Sequence, residues 1–221
     1  VAIICRAAPE SQIGRAKAAF DRLREALEAQ PRIDPVIGVW GWTLAGEIAA
    51  RRGDMDSAEA AYRSALAFAP RDAYLLGAYA DLLVDTGRVR DAVALLAPHA
   101  RHDALLLRLV IASSGLDEER ARHAVWKSEL AARVDAARRR GDGVHRREEA
   151  LYTLAVENDA ARAVALARAN FNVQREPVDA RVLAAAARAA GDASGLRVVQ
   201  EWQSATGLED VALARLLGNR S

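Results

Sequence analysis

Trp42-Thr43-Leu44-Ala45-Gly46-Glu47-Ile48-Ala49-Ala50-Arg51-Arg52-Gly53-Asp54, continuing through Ala58, Tyr62 and Ala65 to Pro70, is the stretch on which the fold turns. It holds two apolar-periodic segments separated by Gly53-Asp54. Gly46, Ala58 and Ala65 are small enough to let two helix axes approach closely, while Trp42 and Tyr62 are large enough to fill the space between successive helix pairs. Asp34 is placed as an N-cap with Pro35 at the first helical position, so a helix runs from there to about Arg52. Asp56-Ser57-Ala58-Glu59 reads as the acidic cap of the next helix.

Outward from this pair the helical period persists. Upstream, Ile13, Ala16, Phe20, Leu23 and Leu27 recur at spacings of three and four, on one face of a helix closed by Pro31. Downstream, the pattern predicts helices near 72–86, 88–97, 103–114, 117–140, 147–157, 160–173, 178–190, 193–205 and 208–217. In the long segment 117–140, Trp126, Leu130, Val134 and Ala137 form the expected buried stripe, and Gly141 ends it. Leu151, Leu154, Val164, Ala167 and Phe171 are the expected core of the pair that follows. Thr206 to Glu209 carries a capping-box signature for the last helix, whose Val211, Leu213, Leu216 and Leu217 would seal an end. No segment alternates with period two, so the fold class is all-α. Only 5% of residues are aromatic and alanine is abundant, which suits closely packed helices better than a sheet. Short helices joined by short turns must lie antiparallel, and a run of such pairs stacks into a solenoid.

The window 39–72 is similar to the tetratricopeptide repeat. Trp42, Gly46, Gly53, Ala58, Tyr62, Ala65 and Pro70 stand at the spacing of that motif, with Ala45 and Ala49 departing from it. Residues 73–102 resemble a second copy through Leu76, Ala80, Leu83, Gly87 and Ala92. That copy then shortens, with Leu96, Pro98 and His99 in its later slots. Residues 10–31 match the second helix of a repeat whose first helix is absent or degraded. His102 to Leu107 echoes Arg71 to Leu76. Residues 103–140, 147–176 and 178–205 read as degenerate pairs, and 208–217 as a closing helix. The resemblance implies one domain over 1–221, a right-handed α-solenoid of antiparallel helix pairs whose repeats degenerate toward the C-terminus. The whole chain also resembles the C-terminal part of longer bacterial tetratricopeptide proteins. Those relatives imply an export signal and further repeats before Val1, and a periplasmic or cell-envelope setting, with the cytoplasm as the alternative.

Composition bounds the partners. Balanced charge, with 31 basic and 30 acidic residues, argues against nucleic acid, whose binders carry a basic excess or stripe. The run Arg138-Arg139-Arg140 is flanked by Asp135 and Asp142. All basic residues except Lys17 and Lys127 are arginine, a bias that suggests a GC-rich bacterial genome. No apolar run is long enough to cross a membrane. One cysteine, Cys5, allows no disulfide within the chain.

Catalysis needs convergent polar groups, and the sequence offers few. His99, His102 and Asp103 make the least implausible metal trio, though their spacing is not the i, i+4 of a helical site; imidazoles at a helix end are usually solvated or cap a carbonyl. His123 and His145 stand singly in charged stretches and are expected at the surface. Cys5 has no base near it in sequence and is expected to be interior. Glu118-Glu119 and Glu148-Glu149 are consecutive on helices and so diverge. An enzyme hidden at 117–177 would require Arg139, His145, Glu149 and Asn170 to converge. The chain is therefore expected to be non-enzymatic, without cofactor or metal.

What remains is surface recognition. The resemblance implies that the first helix of each repeat lines a groove, through Trp40, Thr43, Glu47, Ala50 and Arg51 in one copy and Tyr74, Gly77, Asp81, Val84 and Asp85 in the next. Such a groove would favour a peptide or protein with basic and apolar residues. Two alternatives stand. Trp40 could instead pack against the helix preceding its repeat. The groove could also be filled by upstream repeats or by self-association into a homo-oligomer, making the chain a structural segment of a larger array.

Overall fold

The computed structural model describes residues 1–30, 32–141 and 146–218. Pro31, Asp142 and His145, which figure in the expectations above, lie outside the described residues. Among those described there is no strand; the regular elements are thirteen α-helices and two short 3-10 turns. The chain divides into two compact units, Val1–Leu95 with Gln203–Val211, and Leu96–Trp202 with the residues from Ala212 onward.

The first unit contains α1 (Ala2–Glu10), α2 (Ala16–Glu28), α3 (Pro35–Arg52), α4 (Met55–Phe68), α5 (Ala73–Asp85) and most of α6 (Val89–Leu96). Packing is consecutive from α1 through α5. Asp34 caps α3 as expected, its carboxylate accepting from the amides of Val36 at 2.9 Å and Ile37 at 3.3 Å. Gly53 ends α3 at φ 83°. The Gly53 and Asp54 amides then donate back to the carbonyls of Ala50 and Ala49, a left-handed termination that a side chain would strain. The cap of α4 is Asp54, which accepts from the Ser57 amide at 3.2 Å. Asp56, expected in that role, sits within the first turn of α4, where its charge still favours the helix dipole.

Tight packing of α3 follows from its missing side chains. A Cβ on Gly46 would stand 2.6 Å from the Tyr62 ring of α4, and one on Gly41 would stand 2.6 Å from Leu27 of α2. Tyr62, Ala58 and Ala65 are buried, as are Leu76, Ala80 and Leu83 of α5. Each buried leucine contributes about 1.5–3 kcal/mol through apolar area removed from water.

The N-terminal end departs from expectation. Residues 2–10 form α1, which packs on α2 at the place where the first helix was expected to be absent or degraded. Residues 12 and 13 bond back to the carbonyls of Pro9 and Glu10 as turns. Ile13 is therefore on a connection, 51% exposed, and not on the apolar face of α2. The capping-box expectation at Thr206 to Glu209 also fails: Thr206 ends α12 (Ala193–Thr206), and α13 (Val211–Leu216) starts five residues later. Glu209 instead accepts from the Ala16 amide at 3.4 Å, meeting an orphan donor at the head of α2.

The second unit contains α7 (Asp103–Ser113), α8 (Arg120–Arg140), α9 (Arg146–Ala155), α10 (Ala160–Phe171), α11 (Pro177–Ala190) and most of α12, with consecutive packing in α7–α8 and α9–α10–α11. On α8 only Trp126 and Leu130 of the expected stripe are buried; Val134 and Ala137 are half-buried. In α9 the buried residues are Ala150, Tyr152 and Thr153, with Val156 just beyond its end, while the expected Leu151 and Leu154 are half-buried. Asp179 is fully buried and saturated. It accepts from the Asn170 amide at 2.8 Å, the Arg147 guanidinium at 3.3 Å and the Glu176 backbone amide at 3.0 Å. Burial pushes its carboxyl upward, and those donors oppose the shift. Three helices are thereby tied through one carboxylate.

Two outcomes follow from this packing. Gly46→Val should lower stability by about 1–3 kcal/mol through overpacking against Tyr62, read as a drop of several degrees in a circular-dichroism melt. The Asp192 carboxyl, bonded by the Ser194 hydroxyl, the Gly195 amide and Arg168, is lowered to about 2, against ~3.9 for an unfolded aspartate. It therefore favours the fold above the unfolded value, and that gain is lost as pH falls toward 2. NMR titration should give this low midpoint, and Asp192→Asn should flatten the acid limb of the melting curve.

Candidate functional site

On α3, positions 36, 40, 43 and 47 recur at spacings of four, three and four, so one stripe of the helix carries Val36, Trp40, Thr43 and Glu47. The start of α5 lies alongside: Asp72 caps it by accepting from the Leu75 amide at 2.8 Å, and Tyr74 follows. Together these residues line a shallow depression of about 280 Å³, with Val39 and Leu44 also contributing. Val36 is 71% exposed, Trp40 44% and Tyr74 67%. The Tyr74 hydroxyl donates to the Glu47 carboxylate at 2.5 Å, joining the two helices across the depression. Glu47 and Asp81 also act on the buried phenol of Tyr62. Burial first, and then these two carboxylates with Tyr74, push it well above its ordinary value, Arg51 offsetting part of the effect. This face is thus apolar with a negative field.

The expected lining residues divide into two groups. Trp40, Glu47 and Tyr74 come together; Asp81 is half-buried and Asp85 exposed further along α5. Thr43 touches the depression but is 4% exposed, its hydroxyl donating to the Val39 carbonyl at 2.6 Å. Gly77 is buried without a side chain, and Ala50 and Val84 are half-buried. Arg51 is 8% exposed and turns toward the first helix pair, where its guanidinium donates to the Ser11 hydroxyl at 2.7 Å. Its stem and charge serve packing there. Trp40 is 44% exposed, while its neighbour Gly41 lies against Leu27 of α2. Val36 and Asp72 were not anticipated. Val36 lies one turn before Trp40 and Asp72 is the helix cap, so both signals were present in the sequence.

Elsewhere the polar groups are committed to structure. Cys5 is exposed, contrary to the interior placement expected from its residue type; on α1 it falls on the face turned away from Ile4 and Ala7, which are buried. His123 is half-buried, its Nδ1 3.0 Å from the Ser113 hydroxyl, where a surface position was expected. Asp103 accepts from Arg133 at 2.6 Å, and among the described residues no cluster of three or more His, Cys, Asp or Glu has metal-holding geometry. Glu148 pairs with Arg147 while Glu149 pairs with Arg162 at 3.1 Å. Asn170 turns to Asp179 and Arg139 is exposed, so the described members of the hypothetical catalytic set do not converge. No described helix is long and apolar enough to span a membrane.

Because Arg51 is held inside the fold, Arg51→Ala should destabilise the chain by about 1–3 kcal/mol, leaving the Ser11 hydroxyl without its donor. Urea denaturation monitored by circular dichroism would measure the loss; an unchanged midpoint would contradict the packing role.

Residues 49–110, from the last turn of α3 into α7, match a family described as tetratricopeptide repeat. No curated protein sequence matches the chain. A solved chain described as "Functional Characterization of Pseudomonas Aeruginosa pilF" is 16% identical, with a TM-score of 0.49 over 99% of this chain and 96% of that one. With the helix pairs and the buried small residues in place, the tetratricopeptide-repeat match covers residues 49–110 of the chain.

Proposed function

We propose that the protein is a non-enzymatic scaffold that binds a segment of a partner protein along the face shared by α3 and α5. The supporting observation is the exposure of Val36, Trp40 and Tyr74 around one depression, in a unit whose other large apolar side chains mostly lie in the core. Aromatic side chains left partly in water are the usual anchors of an interface, because they add large contact area at low entropic cost. Glu47 and Asp72 line the depression with these anchors, and Asp81 and Asp85 follow further along α5, so basic segments would be drawn in and acidic ones repelled. Tetratricopeptide repeats commonly serve as interaction scaffolds, and this reading gives the chain that role through particular residues.

The test is to select peptides from a random displayed library on the full chain and titrate the selected binders against variants. Trp40→Ala and Tyr74→Ala should each weaken binding by about tenfold, equivalent to ~1.4 kcal/mol. A Val173→Ala control, at an exposed position of the second unit, should bind as the parent does. Binders indifferent to both aromatic substitutions would remove the assignment of this face.

A further inference from the structure

Resting on the peptide-binding reading above, we infer that the depression between α3 and α5 recognises one cationic side chain, an arginine presented by an extended peptide, through the rings of Trp40 and Tyr74 and the carboxylates of Glu47 and Asp72.

The lining chemistry carries this. Two aromatic rings, an aliphatic floor and two carboxylates meet in one depression, and no basic residue lines it. A ring face attracts a cation electrostatically, and a guanidinium can lie flat on a ring while its N–H groups donate to a carboxylate. A quaternary ammonium could use the rings but has no donor for Glu47 or Asp72. An aliphatic side chain could use the rings and the floor but offers no positive charge to the two carboxylates. At about 280 Å³ the depression falls just below the roughly 300–1,000 Å³ of drug-sized sites, a volume suited to a single long side chain.

The protein uses the same pairing repeatedly within itself. Arg122 lies over Trp126 at 4.6 Å, Arg138 over Tyr152 at 5.6 Å, Arg175 over Phe171 at 5.7 Å, and Arg52 over Phe20 at 5.7 Å. Each of these rings is covered by an arginine of its own chain. Among the described residues, the Trp40 ring has no guanidinium over it, although it is 44% exposed. Arg51, a cation of the same helix, donates to Ser11 and is buried. An arginine from a partner would complete at Trp40 the arrangement that the chain completes internally elsewhere.

The experiment titrates the full chain with three capped heptapeptides, Gly-Gly-Leu-X-Leu-Gly-Gly with X as Arg, Gln or Glu, following the Trp40 indole N–H by NMR. The Arg peptide should shift that signal and bind about three- to fivefold tighter than the Gln peptide, with the Glu peptide weakest. Glu47→Gln, which keeps an acceptor for the Tyr74 hydroxyl, should close most of the Arg–Gln gap. Raising salt from about 0.05 M to about 0.5 M should narrow the gap as well. Equal binding of the Arg and Gln peptides at Trp40 would overturn the arginine preference while leaving the peptide-binding face intact. A gap unaffected by Glu47→Gln would overturn the carboxylate's part in it. Failure of all three peptides to shift Trp40, together with library-selected binders indifferent to Trp40→Ala, would remove both readings.

Discussion

Close approach of α3 and α4 at Gly46 and Tyr62 is the constraint on which the rest of the first unit depends. Where one helix has no Cβ, the ring of the other lies directly against its backbone. Tyr62 is then buried at the junction of α3, α4 and α5, stacked on Tyr79 with ring centroids 5.6 Å apart. Three helices are held by one side chain, because an aromatic ring buries more area than any aliphatic and packs on two faces. The Tyr79 hydroxyl donates to Glu59 at 2.8 Å, and Glu59 also accepts from Arg88. A polar contact on the outside thus follows from an apolar one within.

The same constraint shapes the candidate site. α3 meets α4 through Gly46 and α2 through Gly41, so two of its sides are consumed by packing. Val36, Trp40 and Glu47 lie on the stripe left over, and α5 lies beside it because Tyr62 and Tyr79 bring it there. The negative field of this face has the same origin. Glu47 is fixed by the Tyr74 hydroxyl, while Arg51, four residues on, turns toward Ser11. The two positions stand one turn apart on nearly the same face, so the neighbour each meets separates an acidic, partly exposed residue beside Tyr74 from a basic, buried one beside Ser11.

The second unit solves a related problem with charge. Asp179 in α11 joins Asn170 of α10 and Arg147 of α9, in a region where the repeat pattern is weak. A buried carboxylate is tolerated only when its acceptor capacity is satisfied, and its three donors meet that condition. Such a network sets register by direction, where apolar packing alone tolerates small slips.

The sequence alone determined most of the helices, many of their ends and the pairing of α3 with α4, because capping residues, glycine breaks and the 3.6 period act within a few residues of each other. It also singled out Trp40, Glu47 and Tyr74, since their positions on two neighbouring first helices follow from that register. Contacts between residues far apart in the chain were decided only by the tertiary structure. The burial of Arg51 depends on Ser11, forty residues earlier; the cap on Ala16 comes from Glu209 near the far end; and the role of Asp179 depends on Arg147 and Asn170. The helix α1 and the exposure of Cys5 belong with these, because a nine-residue segment has little helical preference of its own and is held by α2. Local signals are written in neighbouring residues, whereas a side chain's surroundings are set by whichever distant helices pack against it.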